Sequence, residues 1–491
     1  MSTVRTRPPR TTAVALPTVA LLAALLAALL GLLGDAGPAH ATGSTDPVAT
    51  PVDFTGAGGT VLHGLVLAPP ATADGPGPGP GPGLVMVAGG GPGPMGDLRS
   101  AAEAYARRGI TTLIYDKRTD GYSTTHRDYG QLADDALAGV RLLRSRPEVA
   151  PDHVGLWGFS EGAWVVSLAA TRSSDVAYLV TAGAVGLTPA RQQAWAYDGF
   201  LHHAGVSGSL RHALSDSAVR RLADAGLFPE AHYDPVPVWE RVHQPVLAEW
   251  GALDREAAPE ESAAIIRQAL DRAGNTHYTL RTVPGVRHDL HLTRDDGYDH
   301  LDLLPANYAE TEAAWIHRLT TALPTASADP APHQDTLSRP LAPLPWYGSS
   351  GAEAVATLLC LAGFTGYVLT GAARRIRRRP RPAALPRAAR WAAVTGTAAL
   401  LGALGYLFFL GITAAVVTGP VLFGRPVVWL AVQLLALVAV GSTAVAAVAS
   451  LRRRAAAATA LPRLDRARLG ALLLAGAAFL PWALSWGLLV P

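Results

Sequence analysis

Five consecutive residues, Gly158-Phe159-Ser160-Glu161-Gly162, have the types and spacing to raise a nucleophile at the end of a sheet. They follow a short apolar run at 154–157 and open a helical pattern over 162–171. On a sharp strand-to-helix turn a serine is held clear of the sheet, and flanking glycines give the turn room. The helix N-terminus behind it favours developing negative charge. A serine hydroxyl attacks a carbonyl only when a base takes its proton, so a histidine and an orienting acid should follow. The apolar stretch 245–250 ends in Gly251-Ala252-Leu253-Asp254, and a strand-like stretch at 277–283 leads through Pro284-Gly285-Val286-Arg287 to His288. Asp254 is the expected acid and His288 the expected base. Glu249, Glu256 and Asp289 lie nearby, but Glu249 sits inside its strand instead of at the tip.

The third requirement is a pair of N–H donors for the oxyanion. Val87-Ala88-Gly89-Gly90-Gly91-Pro92-Gly93 follows an early strand, and bare backbone there can face a carbonyl oxygen. The expected donors are the N–H groups of Gly90 and Glu161. A phosphate-cradling reading fits less well, because Pro92 and Pro94 remove donors and no Gly-Lys-Ser/Thr follows. His288 and His291, three apart, also suggest a metal pair, but no third ligand stands out and no metal or organic cofactor is implied. His202, His203, Trp195, Tyr197, Tyr233 and Trp239 fall between 188 and 241, where they either line an acyl pocket or simply pack.

These residues need a sheet to carry them. Strand-like segments at 60–67, 84–87, 111–115, 154–157, 177–181, 246–250 and 277–283 are interspersed with helical patterns such as 98–108 and 129–145. That alternation argues for a doubly wound, mostly parallel sheet over residues 42–321, with a helical cap insertion at about 188–241. Ahead of it, Arg5, Arg7 and Arg10 precede a long apolar run and an Ala39-His40-Ala41 cleavage pattern. Residues 1–41 therefore read as a signal peptide or an uncleaved N-terminal anchor. Residues 322–350 are Pro/Ala-rich and read as a linker.

Four apolar stretches follow within 351–491, each near or above the roughly 20 residues that cross a bilayer. Arginines cluster at 374–390 and again at Arg452-Arg453-Arg454, whereas the loop between the second and third stretches has only Arg425. The positive-inside rule then makes the first and third loops cytoplasmic and puts the globular domain on the extracytoplasmic side. The expected architecture is an α/β domain followed by an all-α transmembrane bundle of about four helices. The chain is 49% apolar and 16% charged, and its charge of +3 arises from these local clusters, which argues against nucleic-acid binding. Cys360 is the sole cysteine, so the chain forms no intramolecular disulfide.

The stretch 52–321 resembles the α/β-hydrolase family, particularly its dienelactone-hydrolase-like and acylaminoacyl-peptidase-like branches. The resemblance rests on the 158–162 elbow, the 251–254 turn and the 284–288 loop. It also rests on Tyr115-Asp116-Lys117-Arg118 with Gly121 and Ser123, which is similar to the family's Asp-x-Arg-Gly-x-Gly-x-Ser turn but interrupted by Thr119-Asp120. Where the family commonly has His-Gly before its oxyanion residue, this chain has Ala88-Gly89. The resemblance implies a serine hydrolase acting on a small acyl ester or a short peptide, beside a lipid bilayer and with no nucleic-acid partner. Ester cleavage is preferred, because the peptidase branch commonly carries a propeller and no propeller-length segment precedes residue 52. Acyl transfer to an envelope acceptor, and a non-catalytic sensing or scaffold domain, are the rival expectations. All three triad residues stand in fitting contexts, which argues for an enzyme.

Overall fold

In a computed structural model of the chain, residues 46–70, 79–377, 387–455 and 461–491 are described. The expected signal or anchor, residues 71–78 and part of the arginine-rich stretch 374–390 lie outside the described residues. Residues 45–491 cluster as one compact unit.

A nine-stranded sheet runs through the globular part in the order β1-β2-β4-β3-β5-β6-β7-β8-β9. Its strands are β1 Val48–Thr55, β2 Val61–Ala68, β3 Gly81–Val87, β4 Thr111–Tyr115, β5 Val149–Phe159, β6 Leu179–Ala182, β7 Val246–Gly251, β8 Tyr278–Val283 and β9 Ser327–Ala328. β1 and β2 pair antiparallel, β2 pairs antiparallel with β4, and every later pairing is parallel. The central strands read as near-continuous apolar runs because helices cover both faces. All five residues of β4 and all six of β7 are buried.

The covering helices include α1 Arg99–Ala106, α2 Tyr129–Arg144 and α3 Glu161–Ala170. The start of α2 is fixed by Asp128, whose carboxylate accepts the N–H groups of Gly130 and Gln131 at 2.7 and 3.2 Å. Leu132, Ala136, Val140 and Leu143 then lie on one face of α2 and are buried against the sheet. After β6 the chain leaves the sheet for a cap built from α4 Pro189–His203, α5 Ser209–His212, α6 Val219–Asp224 and α7 Val236–Trp239. It returns through β7, α8 Pro259–Arg272, β8 and α9 Glu310–Arg318.

The segment read as a linker is fastened to the domain. β9 adds to the sheet edge beside β8, and the Ser338 N–H donates to Glu261 Oε2 at 2.7 Å. Side-chain hydrogen bonds hold it where apolar periodicity is missing, with Gln334 also donating to Glu261 at 2.7 Å.

Four helices that are long and apolar enough to cross a membrane follow: α10 Ser350–Ile376, α11 Arg387–Ile412, α12 Val427–Ala455 and α13 Arg463–Ser485. The cap packs directly onto them. Phe200, Leu201, Val206, Leu210 and Leu214 share one buried apolar cluster with Leu410, Trp429, Phe479 and Trp486. Polar contacts close the seam: the Ser350 N–H donates to Asp224 at 2.7 Å, and the Ser207 N–H donates to the Gly424 carbonyl at 2.7 Å.

Candidate active site

β5 runs straight into Ser160, and α3 begins at the next residue. Ser160 takes φ 51° and ψ −114°, a strained conformation for a residue with a side chain. Its N–H donates to the Ala182 carbonyl of the neighbouring strand at 2.9 Å, which fixes the turn. The turn needs Gly162 because α3 approaches β3 closely: a Cβ there would sit 2.3 Å from the Val87 carbonyl oxygen.

Asp254 and His288 arrive on the loops after β7 and β8. Those loops are zipped together by the Leu253 N–H donating to the Val286 carbonyl at 3.0 Å. Asp254 Oδ1 accepts the N–H groups of Glu256 and Ala257 at 2.8 and 2.9 Å, and Oδ2 lies 2.8 Å from His288 Nδ1. With Asp254 ionised, that contact makes Nδ1 the protonated nitrogen and leaves Nε2 as the basic one. Burial pulls the His288 imidazolium down, but the carboxylates of Asp254, Glu256 and Asp289 outweigh it, and the group is pushed up to about 9. Burial raises Asp254, yet His288 and the two N–H donors bring it below its ordinary value.

The His288 ring lies 5.0 Å from the ring of Phe159, the residue before the serine. It also packs over Gly183, where φ is +58° and a Cβ would come within 2.6 Å of the imidazole. Among the described residues no hydrogen bond engages Ser160 Oγ, so the acid–base pair is made and the serine–histidine contact is not. The N–H groups of Gly90 and Glu161 are likewise without a hydrogen-bond partner among the described residues. Gly89 lies against the elbow, a Cβ on it falling 3.5 Å from Ser160 Cβ.

The competing acids have other tasks. Glu249 is buried, ion-paired with Arg281 and next to Glu312; burial first, then Glu312, holds its carboxyl well above the usual range. Glu256 accepts from Arg287. Asp289 lies 3.0 Å from His300 and 3.4 Å from His291. These three are the nearest approach to a metal-ligand set among the described residues. The Arg287 guanidinium stands 3.9 Å from the same carboxylate, and Asp289 spends one oxygen on each ring, so the group reads as an ion-pair hub. The cap aromatics pack: Trp239 is fully buried, Tyr233 lies edge-on to Tyr129, Tyr197 donates to the Gly411 carbonyl and Trp195 to that of Thr336.

The residues missed in the sequence surround Glu161. Its buried carboxylate meets Lys117 at 2.9 Å, the Tyr122 hydroxyl at 2.7 Å and Arg127 at 2.6 Å. Burial lowers the Lys117 ammonium, and Glu161 opposes that fall. Lys117 also donates to the Gly89 carbonyl, the Gly91 N–H donates to the Tyr122 hydroxyl at 2.9 Å, and the Met95 N–H donates to Asp116 at 2.8 Å. The turn after β4 thus pins the glycine loop at three points. Its own anchor is Arg118, which grips buried Asp135 at 2.7 and 2.9 Å. The available signals were the family-like turn at 115–123 and the fact that Lys117 is the only lysine among 41 basic residues, and neither pointed to Glu161.

A sheet of this order with a strained serine after β5 has the α/β-hydrolase fold, and the family match supports a serine hydrolase. Residues 98–305 match the prolyl oligopeptidase family. No curated protein sequence matches the chain. Among solved structures it is similar to 2,6-dihydroxy-pseudo-oxynicotine hydrolase (17% identity, 57% of this chain and 71% of that one, TM-score 0.40). It is also similar to a Mycobacterium tuberculosis puromycin-hydrolyzing peptidase (16% identity, 58% of this chain and 42% of that one, TM-score 0.39). A third is the dienelactone hydrolase of Anabaena variabilis (16% identity, 56% of this chain and 99% of that one, TM-score 0.35).

Proposed function

We propose that the protein is a membrane-held serine hydrolase that cleaves carboxylic esters through Ser160, His288 and Asp254. The observation that carries the reading is the buried Asp254–His288 pair seated against Phe159, next to a serine held at φ 51°. His288 Nε2 takes the Ser160 proton as Oγ bonds to the substrate's carbonyl carbon. The N–H groups of Gly90 and Glu161 stabilise the resulting oxyanion. Collapse breaks the bond to the leaving alcohol, which takes the proton from His288, and a water molecule repeats the cycle to release the acid.

An amphiphilic ester is supported by the cap's seat on α10–α13, which would hold the site beside a bilayer. The domain-side ends of those helices carry exposed Trp346, Tyr347 and Phe423, suited to a membrane–water interface. The opposite ends carry the arginine clusters, which supports a cytoplasmic far side and an extracytoplasmic hydrolase domain. A second reading, cleavage of short peptides, is favoured by the family match. Turnover of p-nitrophenyl esters of graded chain length beside aminoacyl-anilides separates the two. Ester cleavage that strengthens with chain length supports the proposal. Anilide cleavage at comparable kcat/KM replaces it with the peptidase reading.

A further inference from the structure

Lys117 is buried among the residues that line the glycine loop, yet the acyl-transfer steps do not use it. Its Nζ has three protons and three acceptors: the Gly89 carbonyl, Glu161 Oε1 at 2.9 Å and the Tyr122 hydroxyl at 3.3 Å. Tyr122 completes the set by accepting from the Gly91 N–H and donating to Glu161. The cluster therefore joins the loop holding one expected oxyanion donor, Gly90, to the residue that supplies the other, Glu161.

Peptide geometry gives the hold on Gly89 a direction. In a planar trans peptide the C=O and the following N–H point opposite ways. An ammonium on the Gly89 oxygen thus turns the Gly90 N–H away from Lys117. The next peptide is held by its N–H on Tyr122, so the Gly89–Gly90 unit cannot flip without breaking contacts on both sides. A flip would aim the Gly89 carbonyl, an acceptor, where an oxyanion donor is required.

We infer that Lys117 is a positioning residue that fixes the Gly90 N–H toward the oxyanion, with Glu161 as the shared anchor of both donors. The inference rests on Gly90 and Glu161 serving as those donors. It also accounts for the lone lysine. A compact ammonium reaches three acceptors arranged around a point, whereas a planar guanidinium does not fit that arrangement.

The test uses the full chain in detergent, with Lys117→Met, Lys117→Arg, Tyr122→Phe and Ser160→Ala. The readouts are thermal unfolding, kcat and KM on a p-nitrophenyl ester, and affinity for a trifluoromethyl ketone whose adduct carries the oxyanion. Lys117→Met should lower kcat on the order of 10²–10³-fold, the scale of losing one oxyanion donor. KM should change little, and ketone affinity should fall in parallel. Lys117→Arg should not rescue, and Tyr122→Phe should lose kcat by a smaller factor, roughly ten-fold. A folded Lys117→Met protein with wild-type kcat, or a loss confined to KM, overturns the inference. If Lys117→Met does not fold, Tyr122→Phe decides, and unchanged kcat there overturns it. Turnover that survives Ser160→Ala sinks the underlying mechanism as well. Turnover lost in Ser160→Ala but intact in Lys117→Met sinks the positioning role alone.

Discussion

His288 Nδ1 and Asp254 Oδ2 lie 2.8 Å apart, with 4% and 0% of their side chains exposed. At such burial the carboxylate is held by two backbone N–H groups and one ring, so its role in setting the histidine tautomer can be tested without disturbing a surface. Asp254→Asn keeps the shape and removes the charge. It should lower kcat on the order of 10³–10⁴-fold while fluorophosphonate-independent folding, read by thermal unfolding, survives.

The same pair makes activity and stability move in opposite directions with pH. His288 must be neutral to accept the serine proton, and its group is pushed up to about 9, so kcat/KM should rise from pH 7 through about 9. The folded-state value lies above the ordinary 6.5, so the pair's stabilisation is complete below that value and is lost as pH climbs through about 9. A pH–rate profile beside a pH series of unfolding midpoints checks both trends. Asp254→Asn should move this rising limb of the profile to lower pH.

Glu249 offers the contrasting case. Burial and Glu312 hold its buried carboxyl above the usual range while Arg281 pulls it down, and Gln keeps its shape. Glu249→Gln should leave serine labelling intact, because it does not touch the Asp254–His288 pair. Loss of labelling in this variant, with Asp254→Asn still active, would exchange the two acids' roles.

Gly162→Ala tests the close approach of α3 to β3. The added Cβ would meet the Val87 and Ala88 carbonyl oxygens at 2.3 and 3.0 Å, and neither backbone atom is a flexible side-chain end. A loss of about 1–3 kcal/mol is expected from overpacking. Because the shift would carry Glu161 away from the glycine loop, turnover should fall further than stability, which kinetics and thermal unfolding read separately.

The domain should not behave as a free-standing soluble protein. Leu201, Leu210 and Leu214 of the cap are buried against the apolar helices, and each such side chain contributes roughly 1.5–3 kcal/mol when covered. A fragment spanning 46–345 should need detergent to stay monomeric, and polar substitutions at Leu210 and Leu214 should relieve that need. Size-exclusion chromatography with and without detergent is the check.

Much of this fold follows from local signals. The elbow and the Asp254 turn each adjoin a buried strand whose apolar run marks it, the His288 loop follows a strand that is only partly buried, and the four long apolar helices mark themselves. β1 was not legible: Val48–Thr55 is an edge strand with Pro51 at its centre and Phe54 its only buried residue, so it lacks a core face. The Lys117–Glu161 contact spans 44 residues of chain and joins a turn to a helix start, which periodicity cannot reveal. Nor could the cap's apolar positions name their partner, because Leu210 looks the same whether it covers a sheet or a membrane helix.

The most direct measurement is fluorophosphonate labelling of the full chain in detergent, followed by peptide mapping. A label on Ser160, absent from Ser160→Ala and much slowed in His288→Ala, is the predicted result. A label on another residue, or equal labelling of Ser160→Ala, would contradict the account.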